Sequence, residues 1–88
     1  MKVILRVIGR ADGNGTTPHD GRYVLAWNPH SEAGTLELTS TADRSQAQVF
    51  NHADALRQWR TVSRIEPQRW DGRPNRPLTA ITVEIRPV

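Results

Sequence analysis

The sequence predicts an α+β fold: a two-layer domain in which a four-stranded, mainly antiparallel sheet is covered on one face by one or two short helices. Both ends of the chain alternate apolar and polar residues with the period of a strand. The middle contains another alternating pair, followed by a segment with helical spacing. The elements follow in the order β-β-β-α-α-β. Since 88 residues supply material for one core, we expect a single domain over residues 1–88.

The first strand is predicted between Lys2 and Arg10. Val3, Leu5 and Val7 alternate there on one face, and β-branched residues with this period favour a central strand. The stretch that follows, DGNGTTPHDG, is rich in glycine and other turn-forming residues. It is therefore predicted to be a loop.

A β-hairpin is predicted next. Tyr23, Leu25 and Trp27 alternate along its first strand, and Leu36 and Leu38 along its second. The second strand is polar at every outward position, which is typical of a sheet edge. We expect the leucines of this hairpin to face the core.

The periodicity changes after the hairpin. Ser40 and Asp43 resemble a helix capping box, and Ala47 and Phe50 follow at helical spacing. A short first helix is therefore predicted to begin at Ser40.

A second, amphipathic helix of about three turns is predicted after a cap formed by Asn51 and Asp54. Its apolar face would consist of Ala55, Leu56, Trp59 and Val62. Residues 63–77 contain three prolines and an Asp-Gly turn, so they are predicted to form a long connection. The last strand, Thr79 to Arg86, alternates regularly and is expected to pair with the first strand.

The composition narrows the possible environments. The chain has no cysteine, which excludes disulfides, thiolate metal sites and a cysteine nucleophile, so we expect a cytoplasmic protein. No apolar run approaches the length of a membrane-spanning helix, so no membrane partner is expected. The net charge is +3, and 11 of the 12 basic residues are arginines.

The positive charge is concentrated between residues 57 and 76. Six arginines stand there against two acidic residues, which gives this segment a local charge of +4. Arginines interleaved with tryptophan are typical of surfaces that bind proteins or nucleic acids. The predicted partner-binding residues are Arg57, Arg60, Arg64, Arg69, Trp70, Arg73 and Arg76. Trp59 has the spacing of a core residue, which makes Trp70 the candidate anchor.

These features favour a small non-enzymatic binding protein with a protein partner. The alternative is a nucleic-acid-binding module that uses the same basic face, although the modest net charge favours a protein. The glycine loop lacks the spacing of a dinucleotide fingerprint and the lysine of a P-loop, so no nucleotide and no other cofactor is predicted.

Two further alternatives remain open. His19 and Asp20, together with His30, could serve a small enzyme or metal-binding protein, but their spacing matches no metal motif. No catalytic or metal-ligating residue is therefore assigned. A structural protein could also self-associate by pairing along the edge strand at residues 35–41. The oligomeric state stays unassigned.

The carboxyl half of the chain resembles a group of known sequences. The segments ADRSQAQVF, DALRQWRTV and DGRPNRPLTAITVEI are similar to those of short uncharacterised proteins encoded by phages and prophages of high-GC bacteria. The resemblance implies an accessory protein of a mobile element that binds a host protein or a nucleic acid. It brings no site residues with it.

Overall fold

The computed structural model describes residues 1–88 and confirms the α+β prediction. Its sheet is antiparallel and has five strands, one more than predicted. The strands are β1 (Lys2–Arg10), β2 (Tyr23–Asn28), β3 (Glu37–Thr41), β4 (Phe50–Asn51) and β5 (Ile81–Pro87). The helices are α1 (His52–Trp59) and α2 (Pro77–Ala80). Neither helix has the length and apolar character needed to span a membrane.

Strand β1 lies at the centre of the sheet, as its apolar alternation predicts. It pairs with β5 from Val3↔Pro87 to Arg10↔Ile81, which confirms the predicted pairing of the two terminal strands. Because β5 occupies one edge of β1 along this length, β2 and β4 share the opposite edge. β3 pairs with β2, so β3 and β5 form the two outer edges of the sheet.

The core lies between one face of the sheet and helix α1. Its buried centre consists of Leu5, Val7, Val24, Trp59 and Ile81. The predicted core position of Trp59 is confirmed: its ring meets the ring of Trp27 edge-on at a centroid distance of 5.1 Å. Trp27 also contacts Phe50 at 5.1 Å. Aromatic pairs of this kind contribute about 0.5–1.5 kcal/mol beyond the area they bury.

The predicted inward position of Leu25 is wrong. Val24 is completely buried, while Leu25 is only half-buried. The cause is a β-bulge: Val24 pairs with Ser40, but the next paired residue on β2 is Ala26, opposite Thr39. An extra residue in one strand reverses the alternation, and this brings Val24 and Trp27 to the same face.

The helix predicted to begin at Ser40 is not formed. Ser40 and Thr41 extend β3 and pair with Val24 and Tyr23, because pairing with the β2 backbone outweighs a local capping interaction. A short 3₁₀ turn, Arg44–Gln46, follows, and the carboxylate of Asp43 accepts a hydrogen bond from the Ser45 N–H at 2.9 Å.

Phe50 is in the two-residue strand β4, and not in a helix as its spacing predicted. It pairs with Val3 of β1 and packs against Trp27. The single aromatic residue of this segment therefore reaches the core from a strand, because residues 40–50 offer too few apolar side chains for a continuous helical stripe.

The predicted cap of the second helix is confirmed, but the helix is shorter than predicted. The Asn51 side chain accepts hydrogen bonds from the N–H groups of Ala53 at 3.0 Å and Asp54 at 3.4 Å. Helix α1 has eight residues, which is about two turns. It ends at Trp59, so Val62 lies beyond it and is exposed.

The last strand begins two residues later than predicted. Thr79 and Ala80 belong to the short helix α2, and β5 begins at Ile81. Pro77 stands at the first position of α2, where its fixed φ suits a helix and its missing N–H costs nothing. The Thr79 hydroxyl accepts a hydrogen bond from the Arg76 N–H at 3.2 Å.

Candidate binding site

Residues 68–74 form a small hairpin inside the long connection, which we call the Trp70 hairpin. Gln68 and Pro74 form a β-bridge, and the Arg69 N–H donates to the Arg73 carbonyl at 2.8 Å. The Gly72 N–H donates to the Arg69 carbonyl at 3.0 Å. Gly72 has a φ of +83°, as a glycine that closes a three-residue hairpin loop requires. The Asp-Gly pair read from the sequence thus produces a defined turn.

Trp70 stands at the tip of this hairpin and is 91% exposed. The other two tryptophans, Trp27 and Trp59, pack against each other in the core. A tryptophan is normally largely buried, because its ring carries a large apolar area. An indole presented to solvent by a hydrogen-bonded turn is therefore a candidate for contact with another molecule.

Two arginines flank Trp70 and share one carboxylate. Asp71 Oδ1 lies 3.8 Å from Arg69 Nε, and Asp71 Oδ2 lies 3.9 Å from Arg73 Nε. Asp71 also accepts a hydrogen bond from the Arg73 N–H at 3.0 Å. Its charge offsets part of the positive charge of the tip, while the Arg73 side chain stays 71% exposed.

Asn75 ties the hairpin to the rest of the molecule. Its side-chain amide donates to the Gly34 carbonyl at 2.9 Å and to the Glu66 carbonyl at 2.8 Å. Its own carbonyl accepts from the N–H of the buried Ser63 at 2.8 Å. One side chain therefore connects the β2–β3 turn with both arms of the long connection.

The remaining predicted arginines lie apart from this hairpin. Arg57 pairs with Asp54 on α1 at 3.0 Å, and both side chains are exposed. Arg60 and Arg64 are exposed and form no ion pair. Arg76 is half-buried before α2, and its Nε is buried without a hydrogen-bond partner. Of the seven predicted binding residues, the hairpin brings together Arg69, Trp70 and Arg73.

A cleft of about 390 Å³ lies beside the hairpin. One wall comes from the end of β1 and the glycine loop, with Arg10, Asp12 and His19, and another from the long connection, with Arg69 and Asn75. In the sequence the two loops are separate features. No spacing along the chain signals that they meet, because their proximity depends on the pairing of β1 with β5.

The glycine loop is held in place by side-chain hydrogen bonds. The Asp20 carboxylate accepts from the Thr17 hydroxyl at 2.6 Å and from the Thr17 N–H at 3.2 Å. These bonds lower the pKa of Asp20 below its ordinary value. Ser40 Oγ lies 2.7 Å from His19 Nδ1 and accepts from Arg22 Nε at 2.9 Å, which attaches the loop to β3.

The histidines of the alternative hypothesis do not form a cluster. His19 lines the cleft, whereas His30 Nδ1 accepts a hydrogen bond from the Arg64 N–H at 3.0 Å. No three side chains of His, Asp or Glu lie close enough together to hold a metal ion. Of the three residues that the enzyme hypothesis names, His19 alone lines the cleft.

The chain was compared with protein-family models, curated sequences and solved structures, and none of the three comparisons gave a match.

Proposed function

We propose that this chain is a small non-enzymatic binding protein that engages an acidic surface of a protein partner through the Trp70 hairpin. The observation that carries this proposal is the 91% exposure of Trp70 at the tip of a hydrogen-bonded turn. Tryptophan and arginine are the residues most enriched among the dominant contacts of protein interfaces. Because the turn is already formed, little conformational entropy is lost when the indole is buried.

The charges around Trp70 favour a protein over a nucleic acid. Asp71 lies within 4 Å of the guanidinium groups of both Arg69 and Arg73, so the tip carries less positive charge than its arginines alone would give. A net charge of +3 is also small for a protein that binds a phosphate backbone. The same face contacting a nucleic acid is the competing outcome of the test below.

The setting of this function is part of the proposal. The resemblance of the carboxyl half to phage and prophage proteins supports an accessory protein of a mobile element with a host protein as its partner. The absence of cysteine supports the cytoplasm as its location.

The proposal is tested by affinity capture from a lysate of the source cell, with and without nuclease. The native protein is compared with Trp70→Ala and with a variant in which Arg69, Trp70 and Arg73 are all changed to alanine. Arg44→Ala is the matched control, because Arg44 is an exposed arginine in the 3₁₀ turn, outside the basic segment. Captured proteins are then purified and titrated, so that each variant is compared by its dissociation constant.

We expect a nuclease-resistant partner whose affinity falls by roughly thirtyfold or more in Trp70→Ala, the loss typical of a dominant interface residue. Arg44→Ala should bind as the native protein does. Capture that disappears with nuclease, with an affinity whose logarithm falls linearly with the logarithm of the salt concentration, would establish the nucleic-acid alternative. A partner that binds Trp70→Ala normally would contradict the assignment of the anchor.

A further inference from the structure

The cleft beside the Trp70 hairpin has an apolar floor. Leu36, Leu38, Ala80 and Ile81 line it, and they belong to or pack against the hydrophobic core. Its volume of about 390 Å³ is near the lower end for ligand sites. The size and the floor suit one apolar side chain together with its backbone groups.

Two guanidinium groups, those of Arg69 and Arg10, stand at the rim of the cleft, and each has one carboxylate beside it. Arg69 is near Asp71, and Arg10 is near Asp12, which also lines the cleft. Arg10 Nε lies 3.5 Å from that carboxylate, with both side chains partly exposed, so the pair is weak. The Arg69 side chain is only 18% exposed, and the Asp71 carboxylate lies 3.8 Å from its Nε, which is too far for a hydrogen bond. The Nε itself is buried, but the Arg69 side chain lines the cleft, and a carboxylate is the best match for a guanidinium group.

The cleft adjoins a groove that Trp70 lines. Thr35, Arg69 and Asn75 line both, and Trp70 lines the groove. A bound chain could therefore contact the indole and place its next residues in the cleft.

We propose that this cleft captures the C-terminal residue of the partner: an apolar side chain lies on the leucine-lined floor and the terminal carboxylate binds Arg69, assisted by Arg10. The assignment rests on the proposed function, because it makes the ligand part of the same protein partner. A C-terminal apolar residue carries both groups that the cleft matches, an apolar side chain and a carboxylate on one residue. Capture of a terminal carboxylate by fixed donors is a recurring mode of peptide recognition.

The test uses N-acetyl-L-leucine as the probe and the full-length, ¹⁵N-labelled protein. Binding is followed by NMR through the Arg10 and Arg69 side-chain Nε–H signals and the backbone amides of Leu36 and Ile81. N-acetyl-L-leucinamide is the matched probe without the carboxylate. The α-amide of N-acetyl-L-glutamate presents a side-chain carboxylate, and inorganic phosphate presents an anion without an apolar group.

We expect saturable binding of N-acetyl-L-leucine in the millimolar range, with shifts confined to the cleft. N-acetyl-L-leucinamide should bind at least about tenfold more weakly than N-acetyl-L-leucine. Arg69→Gln should reduce the affinity for N-acetyl-L-leucine by a similar factor, since each change removes one partner of a charged hydrogen bond. Arg44→Gln should leave binding unchanged. Comparison of the probes on the native protein does not depend on whether Arg69→Gln folds.

Absence of binding, or equal binding of the acid and its amide, would overturn the proposal. Equal affinity for the glutamate amide or for phosphate would also overturn it, because the site would then not select a C-terminal residue. Probe binding without any captured partner would leave the cleft assignment standing and remove the proposed function. A partner whose binding depends on Trp70, together with no binding of N-acetyl-L-leucine, would support the proposed function and overturn the cleft assignment.

Discussion

At the scale of single residues, Gly72 determines how Trp70 is presented. Its φ of +83° closes the turn, and no heavy atom lies within 4 Å of the position where a Cβ would be. An alanine there would meet no steric clash, and its cost would come from the left-handed backbone alone.

We therefore predict that Gly72→Ala costs about 1–2 kcal/mol of turn stability, measured by the exchange rate of the Arg69 amide hydrogen and by urea unfolding. Gly9→Ala is the matched control, because Gly9 also has no neighbour within 4 Å of a Cβ but does not have a positive φ. It should leave the free energy of unfolding within about 0.5 kcal/mol of the native value. Unchanged exchange at Arg69 in Gly72→Ala would show that the turn does not need its left-handed residue.

The hydrogen bonds to Asp20 make the stability of the protein depend on pH. Hydrogen bonds from Thr17 lower its pKa below the ordinary value of 3.8, so the folded protein favours the carboxylate. The stabilisation is therefore present above the ordinary pKa and is lost as the pH falls through the folded-state pKa.

The free energy of unfolding should fall less steeply between about pH 5 and about pH 2 in Asp20→Asn than in the native protein. Thr17→Val, which removes the donor hydroxyl, should reduce the slope in the same direction. Urea titrations across this range provide the measurement. A slope that neither substitution changes would contradict the assignment of these hydrogen bonds.

At the scale of elements, the long connection is positioned by side chains and not by regular secondary structure. Asn75 donates hydrogen bonds to Gly34 and Glu66, and the His30 ring accepts one from the Arg64 N–H. The Trp70 hairpin therefore keeps a fixed position relative to the cleft because of contacts with the β2–β3 turn.

Asn75→Ala should destabilise the protein by about 1–3 kcal/mol, because it removes two hydrogen bonds that each contribute about 0.5–1.5 kcal/mol. Asn14→Ala is the control, since the Asn14 side chain is exposed and makes no hydrogen bond. The midpoint of urea unfolding is measured for both variants and compared with that of the native protein. If Asn75→Ala behaves like Asn14→Ala, the hairpin is held by other contacts.

The elements also show where sequence reasoning succeeds and where it fails. β1 and β5 are predicted correctly as paired strands because their β-branched residues alternate in the sequence. The alternation does not report every burial, since Ile4 is buried beside Val3 and Leu5, and β5 begins at Ile81 and not at Thr79. The bulge at Leu25 is not visible in the sequence, since it arises from the register with β3. The helix expected at Ser40 fails because β3 pairing takes that residue, which local periodicity does not report.

At the scale of the whole molecule, the proposed binding surface combines distant parts of the chain. The exposed Trp70, which we propose as the anchor, and its flanking arginines are predicted from composition and the Asp-Gly turn. The cleft is not, because Arg10, Leu36, Arg69 and Ile81 come together only through the order of the strands. Tertiary pairing of this kind leaves no local pattern to read.

Fluorine NMR of the protein labelled with fluorotryptophan shows whether Trp70 contacts the partner. The three tryptophans give three signals, of which those of Trp27 and Trp59 report the core. On titration with the captured partner, we expect a large shift or broadening of the Trp70 signal and little change in the other two. A partner that binds while the Trp70 signal keeps its free position would show that Trp70 is not the contact residue.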